Sequence, residues 1–133
     1  MDRPIPHPTN ISRTFWEGCR NGKLLIQKCR NCSYHTYFPA YACPNCLSSE
    51  LDWIEASGRG AVYSATVVER GAGPAFEKEA PFVVALIELD EGPVMMSNVV
   101  GSPPYEVKIG DRVTVDFREV AEGVTLPVFR KSG

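Results

Sequence analysis

The sequence contains two CxxC pairs, and they constrain the fold more than any other feature. The pairs are Cys29 with Cys32 and Cys43 with Cys46, and ten residues separate them. This spacing is typical of a tetrahedral zinc ion held by four thiolates on two knuckles. The segment 24–53 is too short to bury a stabilising core, so the metal must contribute to its folding. Four thiolates close the coordination shell, and the predicted zinc is therefore structural rather than catalytic.

Two further residues near this segment are candidates for metal ligation or catalysis. His35 lies between the pairs but is not needed as a ligand, and we interpret it as an exposed turn residue. Cys19 is the fifth cysteine and shares a predicted helical face with Phe15, which favours packing as a small buried apolar residue. A nucleophilic role for Cys19 would need a neighbour that lowers its pKa, for which Arg20 and Lys23 are the candidates.

Length and apolar content limit the class of protein. The chain has 133 residues and no apolar stretch long enough to span a bilayer. We find no export or lipidation signal, and the zinc interpretation implies reduced cysteines. These observations lead us to expect a cytoplasmic protein that makes no contact with a membrane.

Charge is unevenly distributed along the chain. The net charge of -2 argues against a general nucleic-acid binder, which needs a strongly basic surface. Residues 1–50 nevertheless carry six Lys or Arg against three acids, whereas residues 51–133 carry eight against thirteen. The densest group of cations consists of Arg20, Lys23, Lys28 and Arg30. This group could meet the phosphates of a small ligand or the acids of a partner, or simply remain solvated.

The residue pattern predicts one short helix and otherwise β structure. The helix spans Thr14 to Arg20, with Thr14 and Glu17 as a capping box and Gly22 after its end. Residues 24–27 and 37–39 are predicted strands that lead into the two knuckles. Valine-rich and aromatic runs between glycine and proline clusters predict six further strands. They are 52–57, 61–69, 82–89, 94–100, 112–119 and 125–130.

Five or six short strands favour a small closed barrel, and we choose the OB type over a sandwich. The prediction is therefore a mainly β protein in three parts. They are an N-terminal arm and helix over 1–23, a rubredoxin-like zinc ribbon over 24–53 and an OB-fold barrel over 54–133. Within the barrel, residues 70–80 contain two glycines and a proline around Phe76 and are predicted to form a mobile loop. Loops of this length often carry function, so Phe76 is either a contact for a ligand or partner or a solvent-exposed connection.

Several segments resemble one known family when they are taken in order. They are FWEGCRNGKLLIQKC, the two CxxC pairs, WIEASGRGAVYSATVVER, LIELDEG, IGDRV and TLPVF. Together they resemble the zinc-ribbon and OB-fold family that was long labelled a domain of unknown function, over nearly the whole chain from Phe15 to Phe129. Members of this family accompany thiolases, hydroxymethylglutaryl-CoA synthases and the aldolases of steroid side-chain breakdown. One group is the small subunit of benzoylsuccinyl-CoA thiolase.

The resemblance implies a non-catalytic accessory subunit that helps enclose an acyl-CoA thioester, while a thiolase-superfamily partner supplies the catalytic residues. Because thiolase-type enzymes are commonly dimers, it also implies an α2β2 heterotetramer. The residues agree, since the sequence has only two histidines, no GxSxG motif and no phosphate-binding glycine loop. We predict no catalytic residue, and we expect the acids Glu88, Asp90 and Glu91 to face water.

A CoA thioester requires aromatic and backbone groups around its pantetheine arm and a few cations for its phosphates. The predicted ligand-binding residues are the aromatics Tyr63, Phe76 and Phe82 and the cations Lys23, Lys28 and Arg30. Two alternatives stay open. One is a single-stranded nucleic-acid binder, which the acidic barrel half opposes. The other is a free-standing thioesterase or other acyl-CoA enzyme.

The chain departs from the family pattern at Ser33 and Leu47. Each follows the second cysteine of a pair, where glycine is frequent in the family. Glycine there lets backbone N–H groups approach the sulfurs, so these are the positions at which the knuckle geometry is in question.

Overall fold

The computed structural model describes residues 6–70, 73 and 79–132, and within them the protein is mainly β with one short α-helix. The elements are α1 (Arg13–Arg20), β1 (Leu25–Cys29), β2 (His35–Thr36), β3 (Leu51–Glu55), β4 (Arg59–Val68), β5 (Phe82–Leu89), β6 (Val94–Val100), β7 (Arg112–Ala121) and β8 (Val124–Lys131). A 3-10 turn, Pro104–Glu106, lies between β6 and β7. Phe76 and most of the predicted loop around it lie outside the described residues. In the described part of the chain, no helix has the length and apolar character needed to cross a membrane.

The helix is confirmed, but its predicted N-terminal cap is wrong. Helix α1 begins at Arg13, and the turn before it is closed by Thr9 and Ser12 rather than by Thr14 and Glu17. The backbone N–H of Thr9 donates to Ser12 Oγ at 2.9 Å, and the N–H of Ser12 donates to Thr9 Oγ1 at 3.3 Å. This reciprocal pair satisfies the N–H groups of Thr9 and Ser12, just before the helix. Thr14 therefore lies inside the helix and does not cap it.

Gly22 ends the helix as predicted. Its φ is +74°, in the left-handed region that glycine adopts without strain. The N–H of Lys23 donates to the carbonyl oxygen of Gly18 at 2.8 Å, and the N–H of Gly22 donates to that of Cys19 at 3.1 Å. These two bonds form a Schellman motif, which turns the chain from α1 toward β1.

The first sheet has three antiparallel strands in the order β2-β1-β3. Pairing of β1 with β3 brings the two ends of the cysteine-containing segment side by side. Strand β2 contains only His35 and Thr36, and the strand predicted at 37–39 does not form. The chain leaves β2 because the Tyr37 ring packs edge-on against Phe15, with the ring centroids 5.6 Å apart. Tertiary packing overrides the local strand preference here.

The second sheet is a closed barrel of five strands in the order β4-β5-β6-β8-β7, with β7 returning to β4. Neighbouring strands are antiparallel except β6 and β8, which are parallel. This strand order is that of the OB fold, so the predicted barrel is confirmed. Five of the six predicted runs form the barrel. The sixth, 52–57, becomes β3 and pairs with the ribbon strand β1.

One buried core connects the helix, the ribbon and the barrel. Phe15 of α1 and Ile26 of β1 belong to the same buried cluster as Ile87 and Phe129 of the barrel, and none of the four has exposed surface. Apolar residues alternate along β5, so that every second side chain points into this core. The ribbon is therefore supported by the barrel and by α1 as well as by its own short sheet.

Gly60 lies where β4 approaches β5 too closely for a side chain. A Cβ at this position would overlap the backbone carbonyl of Glu88. We expect Gly60→Ala to lower the free energy of unfolding by about 2–3 kcal/mol, because the strands would have to separate locally. Urea unfolding measures this change.

The matched control is Gly123→Ala in the β7–β8 turn. Gly123 has a φ of +74°, and no atom lies within 4 Å of the place that a methyl group would take. The expected cost is therefore about 1 kcal/mol of backbone strain. Equal stability of the two variants would contradict the close approach of β4 and β5.

Candidate metal centre and surrounding surface

The four predicted zinc ligands come together at one end of the ribbon sheet. The Sγ atoms of Cys29, Cys32, Cys43 and Cys46 all lie within 4.8 Å of one another. The Cys29–Cys46 and Cys32–Cys43 sulfur distances are both 3.6 Å. Four sulfurs bound at about 2.3 Å in a tetrahedron would be about 3.8 Å apart, whereas a disulfide requires about 2.05 Å. The donor set therefore fits a structural zinc ion and not a pair of disulfides.

Both knuckles form despite the absence of glycine. Ser33 has a φ of +65° and Leu47 a φ of +66°, so both adopt the left-handed conformation. The N–H of Ser33 donates to the carbonyl oxygen of Cys29 at 2.9 Å, and the N–H of Leu47 donates to that of Cys43 at 2.8 Å. The knuckle geometry is thus kept, at a backbone cost on the order of 1 kcal/mol per residue.

A pair of asparagines links the two knuckles. Nδ2 of Asn31 donates to Cys46 Sγ at 3.4 Å, and Nδ2 of Asn45 donates to Cys32 Sγ at 3.4 Å. Each asparagine precedes the second cysteine of its own pair and donates to the second cysteine of the other pair, so the two hydrogen bonds cross. The sequence analysis did not single out these residues, although the repeated C-x-N-C pattern was the available signal.

These hydrogen bonds favour the thiolate form of two ligands. Donation from Asn31 lowers the pKa of Cys46 to about 6, and donation from Asn45 lowers the pKa of Cys32 below its ordinary value. Burial acts in the opposite direction on Cys43 and raises its pKa to about 11. Zinc binds thiolates, so the lowered pKa values of Cys32 and Cys46 favour metal binding, whereas the raised pKa of Cys43 opposes it.

Gln27 is a supporting residue that the sequence analysis also missed. It is almost fully buried in β1. Its Nε2 donates to the carbonyl oxygen of Ala40 at 3.2 Å, and the N–H of Ala40 donates to its Oε1 at 2.8 Å. These two hydrogen bonds take the place of the strand pairing that was predicted at 37–39 and did not form. They fix the backbone before the second knuckle. A lone glutamine in an apolar strand could have signalled it, since buried amides need partners.

Cys19 and His35 are separate from the metal centre. Cys19 is buried and packs as predicted, and burial raises its pKa to about 12, which makes it a poor nucleophile at neutral pH. The interpretation of His35 as an exposed turn residue was wrong, because it lies half-buried in β2 and pairs with Lys28. Within the described residues, neither His35 nor His7 hydrogen-bonds to a serine, a cysteine or a carboxylate.

The acids at the end of β5 are structural. Asp90 accepts a hydrogen bond from Arg112 Nη2 at 2.8 Å, and Glu91 Oε2 accepts one from the N–H of Ser57 at 2.7 Å. These bonds hold the β5–β6 turn against β7 and against the β3–β4 connection. The expectation that the cluster faces water was therefore wrong for the half-buried Glu91, while Glu88 is exposed.

The predicted ligand-binding residues are dispersed over the described surface. Lys28 and Arg30 line a shallow cavity beside the first knuckle, where Arg30 forms an ion pair with Asp52 at 3.2 Å. Lys23 is exposed just after α1.

The two described aromatic candidates lie on the barrel. Tyr63 is exposed on β4, and Phe82 begins β5 opposite Val68. Val68 follows Tyr63 by five positions, a distance of roughly 17 Å along a strand. Their role in binding a ligand remains a prediction, as does that of Phe76.

Metal removal tests the structural role of the centre. We expect a single zinc ion per chain, and we expect a chelator at neutral pH to unfold the ribbon because its sheet has little core of its own. Elemental analysis, circular dichroism and titration of the released thiols measure these changes. Complete metal removal without loss of thermal stability would contradict the proposed role of the ion.

The crossed asparagines allow a finer test. We expect Asn31→Ala and Asn45→Ala each to weaken zinc binding about 10-fold, because each removes a donor to a ligand sulfur. Competition with a chromophoric chelator measures the affinity. Asn21→Ala, at the exposed end of α1, is the control and should bind zinc as the parent does. Equal affinity in all three variants would exclude a role for the crossed bonds.

Family models match both parts of the chain. One described as the rubredoxin-like zinc ribbon domain of ChsH2 matches residues 16–52, and one described as the C-terminal OB-fold domain of ChsH2 matches residues 53–118. A solved structure described as Ltp2-ChsH2(DUF35) aldolase is 39% identical with a TM-score of 0.84, and the match covers 95% of this chain and 98% of that one.

Two named relatives extend the comparison. A Methanocaldococcus jannaschii protein named DUF35 domain-containing scaffold protein is 41% identical over 101 residues, which cover 74% of this chain and 70% of the relative. A Thermomonospora curvata protein named probable enoyl-CoA hydratase alpha subunit is 42% identical over 129 residues. That match covers 96% of this chain but only 40% of the relative, so the chain spans about two fifths of that protein's length. This chain therefore belongs to the DUF35 family, in which a ChsH2-type rubredoxin-like zinc ribbon is joined to an OB-fold domain.

Proposed function

We propose that this chain is a non-catalytic subunit of a complex that processes CoA thioesters. Membership of the DUF35 family supports the proposal, as do the relatives named for a scaffold protein, an enoyl-CoA hydratase alpha subunit and the Ltp2-ChsH2 aldolase. In this proposal the catalytic partner is a thiolase-superfamily enzyme, either a thiolase or a retro-aldolase. The assembly is an α2β2 heterotetramer that encloses the thioester between its subunits.

The chemistry of the described residues supports a non-catalytic role. Four of the five cysteines form the metal cluster, and the fifth is buried with a raised pKa. Asp90 is paired with Arg112. Glu91 Oε2 accepts from the N–H of Ser57, while the buried Glu91 Oε1 has no hydrogen-bond partner among the described residues. In the described part of the chain, no serine, threonine or cysteine side chain is thus hydrogen-bonded to a histidine or a carboxylate, the pairing that hydrolysis or acyl transfer commonly uses.

The observation that carries the proposal is the outer face of β5 and β6. In OB folds that bind oligonucleotides, the second and third barrel strands form the binding face, and β5 and β6 occupy those positions here. Neither strand contains a lysine or an arginine. Such a face cannot follow a chain of phosphates, so it disfavours the single-stranded nucleic-acid alternative.

The same face is largely apolar, and its exposed carboxylate is Glu88, which lies opposite Val94. Leu86 and Met96 are directly paired across β5 and β6, and they are 37% and 64% exposed. Val94 is exposed beside them, and Tyr63 extends the patch onto β4, next to the residue that pairs with Leu86. We call Tyr63, Leu86, Val94 and Met96 the apolar face. Contiguous exposed apolar groups of this kind are typical of protein docking surfaces.

Copurification tests the docking role. The tagged chain, expressed in its native host, should retain a companion polypeptide, and light scattering should give the mass of two copies of each. We expect Met96→Glu to reduce recovery of the companion at least 10-fold, because a carboxylate would be buried in the interface without a partner. Full recovery with Met96→Glu would contradict docking through the apolar face.

The control variant is Ile109→Glu, which introduces the same charge at a side chain that is 74% exposed in the loop before β7. It should retain the companion as the parent does. Both variants should keep their zinc and their circular dichroism spectrum. Turnover of a CoA thioester by the purified chain without any companion would instead support the alternative of a free-standing acyl-CoA enzyme.

A further inference from the structure

A cavity of about 200 Å³ lies beside α1, apart from the metal centre and the apolar face. One wall is a stripe of α1, formed by Arg13, Trp16, Glu17 and Arg20 at the spacing i, i+3, i+4 and i+7, which places them on one side of the helix. Pro6 and Pro8 form a second wall, and residues 123–125 of the β7–β8 turn form a third. We call this the α1 cavity.

The two arginines of the stripe differ from those of the barrel. Every arginine on a barrel strand forms an ion pair with a carboxylate: Arg59 and Arg112 with Asp90, Arg118 with Glu79 and Arg130 with Asp116. Within the described residues, Arg13 makes only a long hydrogen bond of 3.4 Å to Asn10 Oδ1, and Arg20 makes no side-chain hydrogen bond or ion pair. Their guanidinium donors are therefore available to an anion.

Trp16 lies between the two arginines and supplies a flat apolar surface. Its indole is half-buried and is held edge-on against the fully buried Phe15, with the ring centroids 4.9 Å apart. Stacking of a base on an aromatic side chain contributes about 1–3 kcal/mol to binding. A planar heterocycle is thus the group that fits this wall.

The arrangement of charge further restricts the class of ligand that fits this cavity. Arg20 follows Arg13 by seven positions, a rise of roughly 10 Å along the helix. A matching ligand carries a planar group and two anionic groups close enough together for the two long arginine side chains to reach both. Glu17, between the arginines, repels phosphate but can accept a hydrogen bond from an exocyclic amino group or a ribose hydroxyl.

We propose that the α1 cavity binds the nucleotide end of a CoA thioester, with adenine on Trp16 and the 3′-phosphate and the diphosphate on Arg13 and Arg20. This inference rests on the proposed function for the identity of the ligand. Adenosine with phosphates at both the 3′ and 5′ positions has these parts, because both phosphates branch from the ribose at one edge of the planar base. The cavity is smaller than a pocket for a whole ligand, which is about 300–1,000 Å³, so the pantetheine arm extends beyond this chain toward the partner.

The assignment differs from the one that the sequence suggested. Lys23, Lys28 and Arg30 were predicted as the phosphate-binding cations, but Arg30 is already paired with Asp52. No aromatic side chain is among the described residues that line the cavity beside Lys28 and Arg30. The α1 cavity combines unpaired cations and an aromatic surface in one place.

Fluorescence of the zinc-loaded full chain tests the proposal. In a Trp53→Phe background, Trp16 is the remaining tryptophan, and CoA should quench it saturably. We expect Arg13→Gln and Arg20→Gln each to weaken CoA binding about 10-fold, since each removes a charge-assisted contact to phosphate. Arg30→Gln removes the same charge from the ribbon and should leave binding unchanged.

Dephospho-CoA, which lacks the 3′-phosphate, separates the roles of the two arginines. The parent chain should bind dephospho-CoA about 10-fold more weakly than CoA. The arginine variant that has lost the 3′-phosphate contact should bind the two ligands equally well. The absence of saturable binding at millimolar CoA would overturn the proposal. A loss of CoA binding in the Arg30→Gln variant alone would also overturn it. If the companion still copurifies, either of these results leaves the proposed docking function intact. Loss of the companion alone would contradict docking and would not affect the CoA titration.

Discussion

The four-thiolate cluster is the interaction on which the rest of this structure depends. The ribbon sheet has three strands, one of them only two residues long, and such a sheet is not stable alone in water. A structural zinc ion contributes roughly 10 to 16 kcal/mol in small ribbons. This free energy holds β1 against β3, and it thereby places Ile26 in the core that the ribbon shares with α1 and the barrel.

The barrel was predictable because its signals are local and repeated. Short valine-rich runs between glycine and proline clusters predicted strands at 82–89 and 94–100 with the observed bounds. The cysteine spacing predicted the metal centre for the same reason, since ligand type and separation define a knuckle. Ser33 and Leu47 adopt the left-handed backbone that the knuckles require, against the local preference of these side chains.

The wrong predictions concern places where residues distant in sequence determine the local structure or burial. Packing of Tyr37 on Phe15 ended a predicted strand, and the pairing of β3 with β1 took one run away from the barrel. Thr9 is outside the helical pattern, so its bond with Ser12 could not be read from periodicity. Glu91 became half-buried because the backbone of Ser57 lies within reach of its carboxylate. Burial and partner choice of this kind follow only from the folded topology.

The ligand surface could not be located from composition alone. Local density of cations pointed to Lys28 and Arg30, but the value of a cation to a ligand depends on whether a carboxylate already neutralises it. Ion pairing in the folded chain leaves Arg13 and Arg20 as the arginines on α1 without such a neighbour in the described residues. The ligand-binding role of Lys23, Lys28 and Arg30 stays a prediction beside the proposal for Arg13 and Arg20.

The crossed asparagine bonds also affect how a metal ion could leave. Each amide belongs to one knuckle and its sulfur acceptor to the other, so the knuckles cannot separate while either contact persists. Each amide would therefore have to leave its sulfur acceptor before the knuckles could open. Loss of a bound ion to a competing thiol pool should consequently be slowed by these contacts, even though Cys32 and Cys46 are only partly buried.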